Sequence, residues 1–235
     1  MNKNVLNWQE QALTGLLARS QRLPHAILLQ GPEGTGVAEF AAVWAQCLLC
    51  ESPLEGGFAC GKCAGCNWYS LGNHPDFRLV QPDSYAEEEA PAEGEDAPPV
   101  GRKSSERKST QIRIDQVRAL QDFLAVGTHR AGRRVVVLHP ADTMNEATQN
   151  ALLKSLEEPP AATVFILVTS NPHRLLPTIR SRCQAVSLPR PDQQAALAWL
   201  REQQVPEPER ALALAGGAPL AAADLAERAP FIAEF

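Results

Sequence analysis

Apolar positions along the chain follow two alternating rhythms. Residues 26–30 (AILLQ), 133–138 (RRVVVL), 164–169 (VFILVT) and 184–188 (QAVSL) are short, nearly continuous apolar runs, the pattern of strands buried on both faces. Between them, apolar residues recur at helical spacing: Val37, Phe40, Ala41 and Trp44 in 37–50, then Ile114, Val117, Leu120 and Leu124 in 114–126. A further helix is expected over 145–158, stopped by Pro159 and Pro160, and a helical turn around 175–179. Strands alternating with helices predict an α/β fold with a parallel sheet covered on both faces. After Pro189 and Pro191 the pattern becomes Ala/Leu-rich and helical, over 193–203, 208–215 and 219–228. A domain boundary is therefore expected there, with an α/β domain over 1–188 and a small helical domain over 189–235.

Composition bounds this picture. The chain has 235 residues, 44% hydrophobic and 21% charged, enough for one large domain or one domain plus part of another. Its longest apolar runs are strand-sized, far below the roughly 18–20 residues of a spanning helix, and residues 1–11 (MNKNVLNWQEQ) are too polar for a signal peptide. No membrane association and a cytoplasmic location are expected. A net charge of −5 argues against a free-standing module held on nucleic acid by phosphate contacts. Residues 81–110 are first acidic and Pro/Ala-rich, then basic and Ser-rich, and read as a disordered insertion, with a regulatory tether as the sharper alternative. Arg130, Arg133 and Arg134, around Gly132, read as a solvated turn, with DNA or subunit contact as the alternative.

Four of the six cysteines form C-x9-C-x2-C-x2-C: Cys50, Cys60, Cys63 and Cys66. The two C-x2-C steps let thiolates converge, Gly61 and Gly65 permit the turns, and Cys50 closes the set from the end of the preceding helix. Four thiolates with no open position describe a structural zinc site, a module over 50–66. His74 is not needed as a ligand and reads as hydrogen-bonded or exposed; Cys47 and Cys183 read as core residues.

Residues 31–38 (GPEGTGVA) stand where a phosphate-binding loop would connect a strand to a helix. A working loop needs G-x-x-x-x-G-K-[ST], its lysine for the β/γ-phosphates and its hydroxyl for Mg²⁺. Gly31 and Gly36 keep the spacing, with Gly34 between them, but Val37 and Ala38 replace the lysine and hydroxyl. The strand VVVL is followed by His139 and Pro140 instead of an acidic pair, and Asp142 falls past the strand end, where it reads as a helix-capping residue. Both defects point to a nucleotide-binding fold without hydrolytic chemistry.

The run HPADTMNEATQNALLKSLEEPPAATVFILVTSNPHRLLPTIRSRC, residues 139–183, closely resembles the AAA+ clamp-loader family, and the resemblance extends over nearly the whole chain apart from 81–110. It implies an AAA+ ATPase-like domain with an inserted zinc module and a helical lid domain. Cys50, Cys60, Cys63 and Cys66 then fall on the family's zinc ligands, and Thr169 on its sensor 1 region. Arg182, in Ser181-Arg182-Cys183, matches the arginine finger that acts in trans on ATP held by a neighbouring subunit; Arg180 is the alternative structural partner. Pro219, after Gly216-Gly217-Ala218, stands at the sensor 2 arginine position.

The implied role is a non-catalytic, stator-like accessory subunit of the replicative polymerase's clamp loader. It would assist ATP-dependent loading of the sliding clamp onto primed DNA, with structural zinc and without productive ATP binding. The implied partners are the gamma/tau ATPase subunits and delta, with the clamp and primer-template DNA reached through the complex. Two rival readings remain at this point: an active clamp-loader ATPase, and an autonomous zinc-dependent DNA-binding protein. The family also carries a third, helical collar domain, which is expected to be missing from a chain ending at residue 235, leaving it monomeric alone.

Overall fold

The computed structural model describes residues 5–85, 108–129 and 132–228. Helix α1 (Glu10–Leu17) leads into β1 (Ala26–Gln30), followed by α2 (Val37–Leu49), α3 (Ala64–Ser70) and β2 (Phe77–Val80). Then come α4 (Ile114–Ala125), β3 (Arg134–Leu138), α5 (Glu146–Glu157), β4 (Thr163–Thr169), α6 (Pro177–Arg180) and β5 (Gln184–Ser187). Helices α7 (Gln193–Glu202), α8 (Pro208–Leu214) and α9 (Pro219–Arg228) complete the described chain. None of these helices is long and apolar enough to cross a membrane.

The strands form one parallel sheet in the order β2-β3-β4-β1-β5. Alternation within the strands divides the core into two layers, because successive side chains of a strand leave opposite faces. Ile27, Leu29, Val135, Val137, Val164, Ile166 and Val168 pack on one face with Phe40, Trp44 and Leu13 from α2 and α1. Leu28, Val136, Leu138, Phe165 and Leu167 pack on the other with Val117 and Leu120 of α4 and Leu152 and Leu156 of α5. The two-sided burial explains why these strands read as continuous apolar runs. A third, smaller apolar cluster joins α7, α8 and α9 through Ala196, Leu200, Leu212 and Ala222.

Two expectations are corrected here. Arg134 is no solvated turn residue: it is 2% exposed and opens β3. Its Nη1 donates to Leu124 O at 3.0 Å and its Nη2 donates to Val126 O, while its guanidinium lies 4.9 Å over the Phe123 ring. The cation thus closes the C-terminus of α4, where unpaired carbonyls and the helix dipole favour positive charge. Arg133 donates to Ser20 O, and Arg130 lies outside the described residues. The predicted insertion is also narrower than 81–110. Ser84 N donates to Ser109 O at 3.0 Å, Gln116 Nε2 donates to Gln81 O at 2.9 Å, and Pro82 is buried, so both ends of the segment belong to the fold. Its remainder, 86–107, lies outside the described residues.

Candidate functional site

Three groups of residues singled out by the sequence occupy three separate places in this architecture. The first is the cysteine cluster. Cys50 follows α2 directly, Cys60 lies in the loop that returns from it, Cys63 caps α3, and Cys66 lies one turn inside α3. All four Sγ atoms lie within 4.8 Å of one another, with Cys50 to Cys63 at 3.9 Å and Cys60 to Cys66 at 4.0 Å. Four sulfurs each about 2.3 Å from a tetrahedral zinc are about 3.8 Å apart, so the cluster has the dimensions such an ion needs. Backbone N–H groups already point at sulfur: Cys60 N to Cys50 Sγ at 3.3 Å, Cys63 N to Cys60 Sγ at 3.3 Å, Cys66 N to Cys63 Sγ at 3.4 Å. Burial pushes the Cys63 thiol up, but the backbone N–H groups of Cys66 and Glu51 and the neighbouring thiols outweigh it and bring it down to about 6, while burial holds the Cys50 and Cys66 thiols above their usual range. Such donors stabilise the thiolate form in which cysteine binds metal.

His74 stays outside the set. It is buried, its Nδ1 accepts from Asp76 N at 3.1 Å, and its ring meets Trp68 edge-on. Cys47 is 5% exposed in the core, and Cys183 is half-buried against the second core layer.

The second group is the glycine loop at the C-terminal end of β1. It is held from three directions. From the chain's start, Trp8 Nε1 donates to Thr35 O at 3.1 Å and Gln9 Nε2 to Gly36 O at 2.7 Å. From the sheet, Thr169 O accepts from Gly31 N at 3.3 Å. From the helical segment beyond β5, Leu220 N donates to Gly34 O at 2.9 Å.

Two glycines are required by backbone and space alike. Gly34 has φ +72° and a Cβ there would lie 2.6 Å from Ala221 Cβ; Gly36 has φ +89° and a Cβ would lie 2.2 Å from Leu6 Cδ1. Val37 and Ala38 begin α2 at the positions of the missing lysine and hydroxyl. Pro219 opens α9 at the position read as the missing sensor arginine, and it is buried.

A cleft of about 350 Å³ borders the loop. Its described lining includes Glu33, Glu39 and Asp142 but neither lysine nor arginine. Asp142 does not cap the following helix, since Asn145 does so by accepting from Thr148 N at 2.9 Å. Instead the Asp142 carboxylate, 8% exposed, accepts from the Thr169 hydroxyl at 2.6 Å. His139 also lines the cleft. Burial holds its imidazole below the usual range against the opposing pull of Asp142, and Tyr85 packs edge-on against it. Trp8, Gln9 and Tyr85 carry no sequence signal, because each acts only through contacts made by the folded chain; His139 shows in the sequence only as a residue standing where an acidic pair is expected.

The third group is the turn between α6 and β5. Arg182 Nη1 donates to Thr178 O at 2.9 Å, and its Nη2 lies 2.6 Å from Glu157 Oε1 at the end of α5. Arg180 is half-buried, with its Nε out of solvent and without a hydrogen-bond partner among the described residues. Because β5 runs parallel to β1 with Gln184 beside Ile27 and Ser187 beside Gln30, this turn lies at the opposite end of the sheet from the glycine loop. Four strand residues alone separate the two ends by roughly 13 Å.

The five-stranded parallel sheet with helices on both faces and a glycine loop after β1 define an α/β domain of the nucleotide-binding kind. A solved structure of a DNA polymerase III gamma subunit-related protein from Thermotoga maritima shares this fold. Its TM-score is 0.55 at 24% identity, over 92% of this chain and 59% of that one.

The chain belongs to the family described as DNA polymerase III, delta subunit, whose model matches residues 8–192. DNA polymerase III subunit delta′ of Pseudomonas aeruginosa is 41% identical over 223 residues, 93% of this chain and 60% of that protein. DNA polymerase III subunit delta′ of Escherichia coli is 34% identical over 201 residues, 84% of this chain and 53% of that protein. The chain thus spans between about half and three fifths of the length of these curated relatives.

Proposed function

We propose that the chain is the AAA+-like part of a clamp-loader subunit of the delta′ kind, a cytoplasmic stator that hydrolyses no ATP itself. In this reading, it lends Arg182 to ATP bound by a neighbouring gamma/tau-type subunit and so assists loading of the sliding clamp onto primed DNA. The observation that carries the reading is the separation of Arg182 from the chain's own glycine loop. An arginine at the far end of the sheet from that loop meets a nucleotide phosphate only on another subunit. A guanidinium there offsets charge developing on the transferred phosphoryl group. The loop's missing lysine and acidic cleft support the non-hydrolysing half of the reading against an active ATPase. The net charge of −5 counts against an autonomous DNA-binding protein.

In the same reading, residues 1–188 form the ATPase-like domain and 189–235 a lid domain whose α9 rests on Gly34. The four cysteines hold one structural zinc, which ties the end of α2 to α3. Metal analysis of the purified protein should find about one zinc per chain, and chelation should lower its melting temperature. A zinc-free protein of undiminished stability would remove that part.

The decisive experiment is reconstitution of the full-length protein, wild type and Arg182→Ala, with its partner subunits. The variant should enter the complex normally, while hydrolysis at the adjoining ATP site falls on the order of 10³-fold, the scale of arginine-finger loss. Wild-type ATP turnover by the Arg182→Ala complex would refute the reading.

A further inference from the structure

Arg182 does not stand alone on the surface. It forms an ion pair with Glu157, the last residue of α5, 25 positions earlier in the chain. We propose that Glu157 is a positioning residue: it holds the Arg182 guanidinium in the orientation from which it meets a phosphate on a neighbouring subunit. The inference rests on the reading of Arg182 given above and deepens it.

Three observations carry it. The first is placement. The carboxylate sits in the last turn of α5, where the helix dipole disfavours negative charge, so helix stability does not explain a glutamate there. Its partner supplies the reason, with Nη2 to Oε1 at 2.6 Å.

The second is geometry. Arg182 Nη1 donates to Thr178 O at 2.9 Å, which also accepts from the Ser181 hydroxyl at 3.1 Å. The guanidinium is therefore fixed from two sides, by a backbone carbonyl of α6 and by the Glu157 carboxylate. A guanidinium has five N–H donors, so these two bonds leave three for a phosphate.

The third is the weakness of the pair. The two side chains are 35% and 48% exposed, and a pair so open to water contributes little net stability. Such a carboxylate does not lock the arginine away from a polyphosphate, which carries more charge. It narrows the rotamers of a long, flexible side chain before the subunits meet, lowering the ordering cost left for the transition state.

The test is a double-mutant cycle in the complex reconstituted with the full-length subunit, sliding clamp and primed DNA, reading kcat and KM for ATP separately. Glu157→Ala should lower kcat about tenfold, leave KM for ATP unchanged and leave the thermal melt of the subunit unchanged. Glu157→Gln keeps an oxygen acceptor and should recover most of that loss. In an Arg182→Ala background, Glu157→Ala should cost nothing further, because a residue acting through another has no effect once that other is gone. Wild-type kcat in Glu157→Ala, or an equal further loss in the Arg182→Ala background, overturns the positioning role while leaving Arg182 in place. Full activity of Arg182→Ala itself overturns the finger reading, and the positioning role falls with it.

Discussion

At the end of the sheet where β1 and β4 finish, the carbonyls of Gly34, Thr35 and Gly36 in the glycine loop are spent on the protein itself. Trp8, Gln9, Thr169 and Leu220 hold its backbone, and the Asp142 carboxylate is bonded to the Thr169 hydroxyl. At the other end, where β5 begins, Arg182 is held by two contacts yet stays more than one-third exposed, with donors to spare. One fold thus presents a closed, acidic end and an open, cationic one. The difference teaches what fixes each end: at the loop, donors on Trp8, Gln9 and Leu220 hold the Gly34, Thr35 and Gly36 carbonyls, and Gly31 N is tied to Thr169 O. Buried carbonyls require donors, and here the chain itself supplies them.

If the closed end is fastened as described, its glycines are the place to break it. Gly34→Ala meets two obstacles at once, a backbone at φ +72° and the Cβ of Ala221 at 2.6 Å, with Ala221 N at 3.1 Å behind it. Left-handed backbone costs a non-glycine residue about 1–3 kcal/mol, and here the contact is with helix atoms that cannot rotate away. A total loss of about 2–4 kcal/mol is expected, measured by urea unfolding. Faster amide exchange in α9 should accompany it, because the Leu220 N to Gly34 O bond would be lost. Unchanged stability with α9 still protected would mean that the loop and the helical segment are not fastened to each other.

Asp142→Ala is the next smaller effect. It removes the acceptor of the Thr169 hydroxyl, in a threonine only 1% exposed, and leaves a buried donor unpaired. Such a donor costs about 1–3 kcal/mol. Asp142→Asn keeps an oxygen acceptor and should cost less. Equal losses in the two variants would show that the carboxylate's charge, not its hydrogen bond, is what the site uses.

How far the two ends were legible in sequence differs for physical reasons. The strands β1, β3 and β4 show as apolar runs because both their faces are buried, and the cysteine spacing marks a cluster because its ligands are nearly adjacent in the chain. Val37, where the glycine spacing calls for a lysine, is equally local. By contrast, β2 is a four-residue edge strand, FRLV, whose half-exposed pattern matches no template and so leaves no mark in the sequence. The helix α1 is equally silent in the sequence: it has no side-chain cap at its start and carries Gly15 in its interior. Arg134 read as surface because charge usually is; its burial depends on the end of α4 and on Phe123, which only the fold brings to it. The same holds for Glu157, whose pairing with Arg182 no spacing rule announces.

The smallest expected effect lies at the open end, and it separates a surface device from a structural one. Removing Arg182 deletes a half-exposed ion pair and one bond to a carbonyl that keeps the Ser181 hydroxyl as a second donor. Exposed pairs of this kind are worth about 0–1 kcal/mol. Arg182→Ala should therefore melt within a few degrees of the wild-type chain, well short of the loss expected for Gly34→Ala. A larger drop would make Arg182 a brace between α5 and α6, and the activity lost in the assembled complex would then need no arginine reaching across an interface. An unchanged melt leaves its exposed guanidinium without a structural task in its own subunit, which is the condition for its use by another.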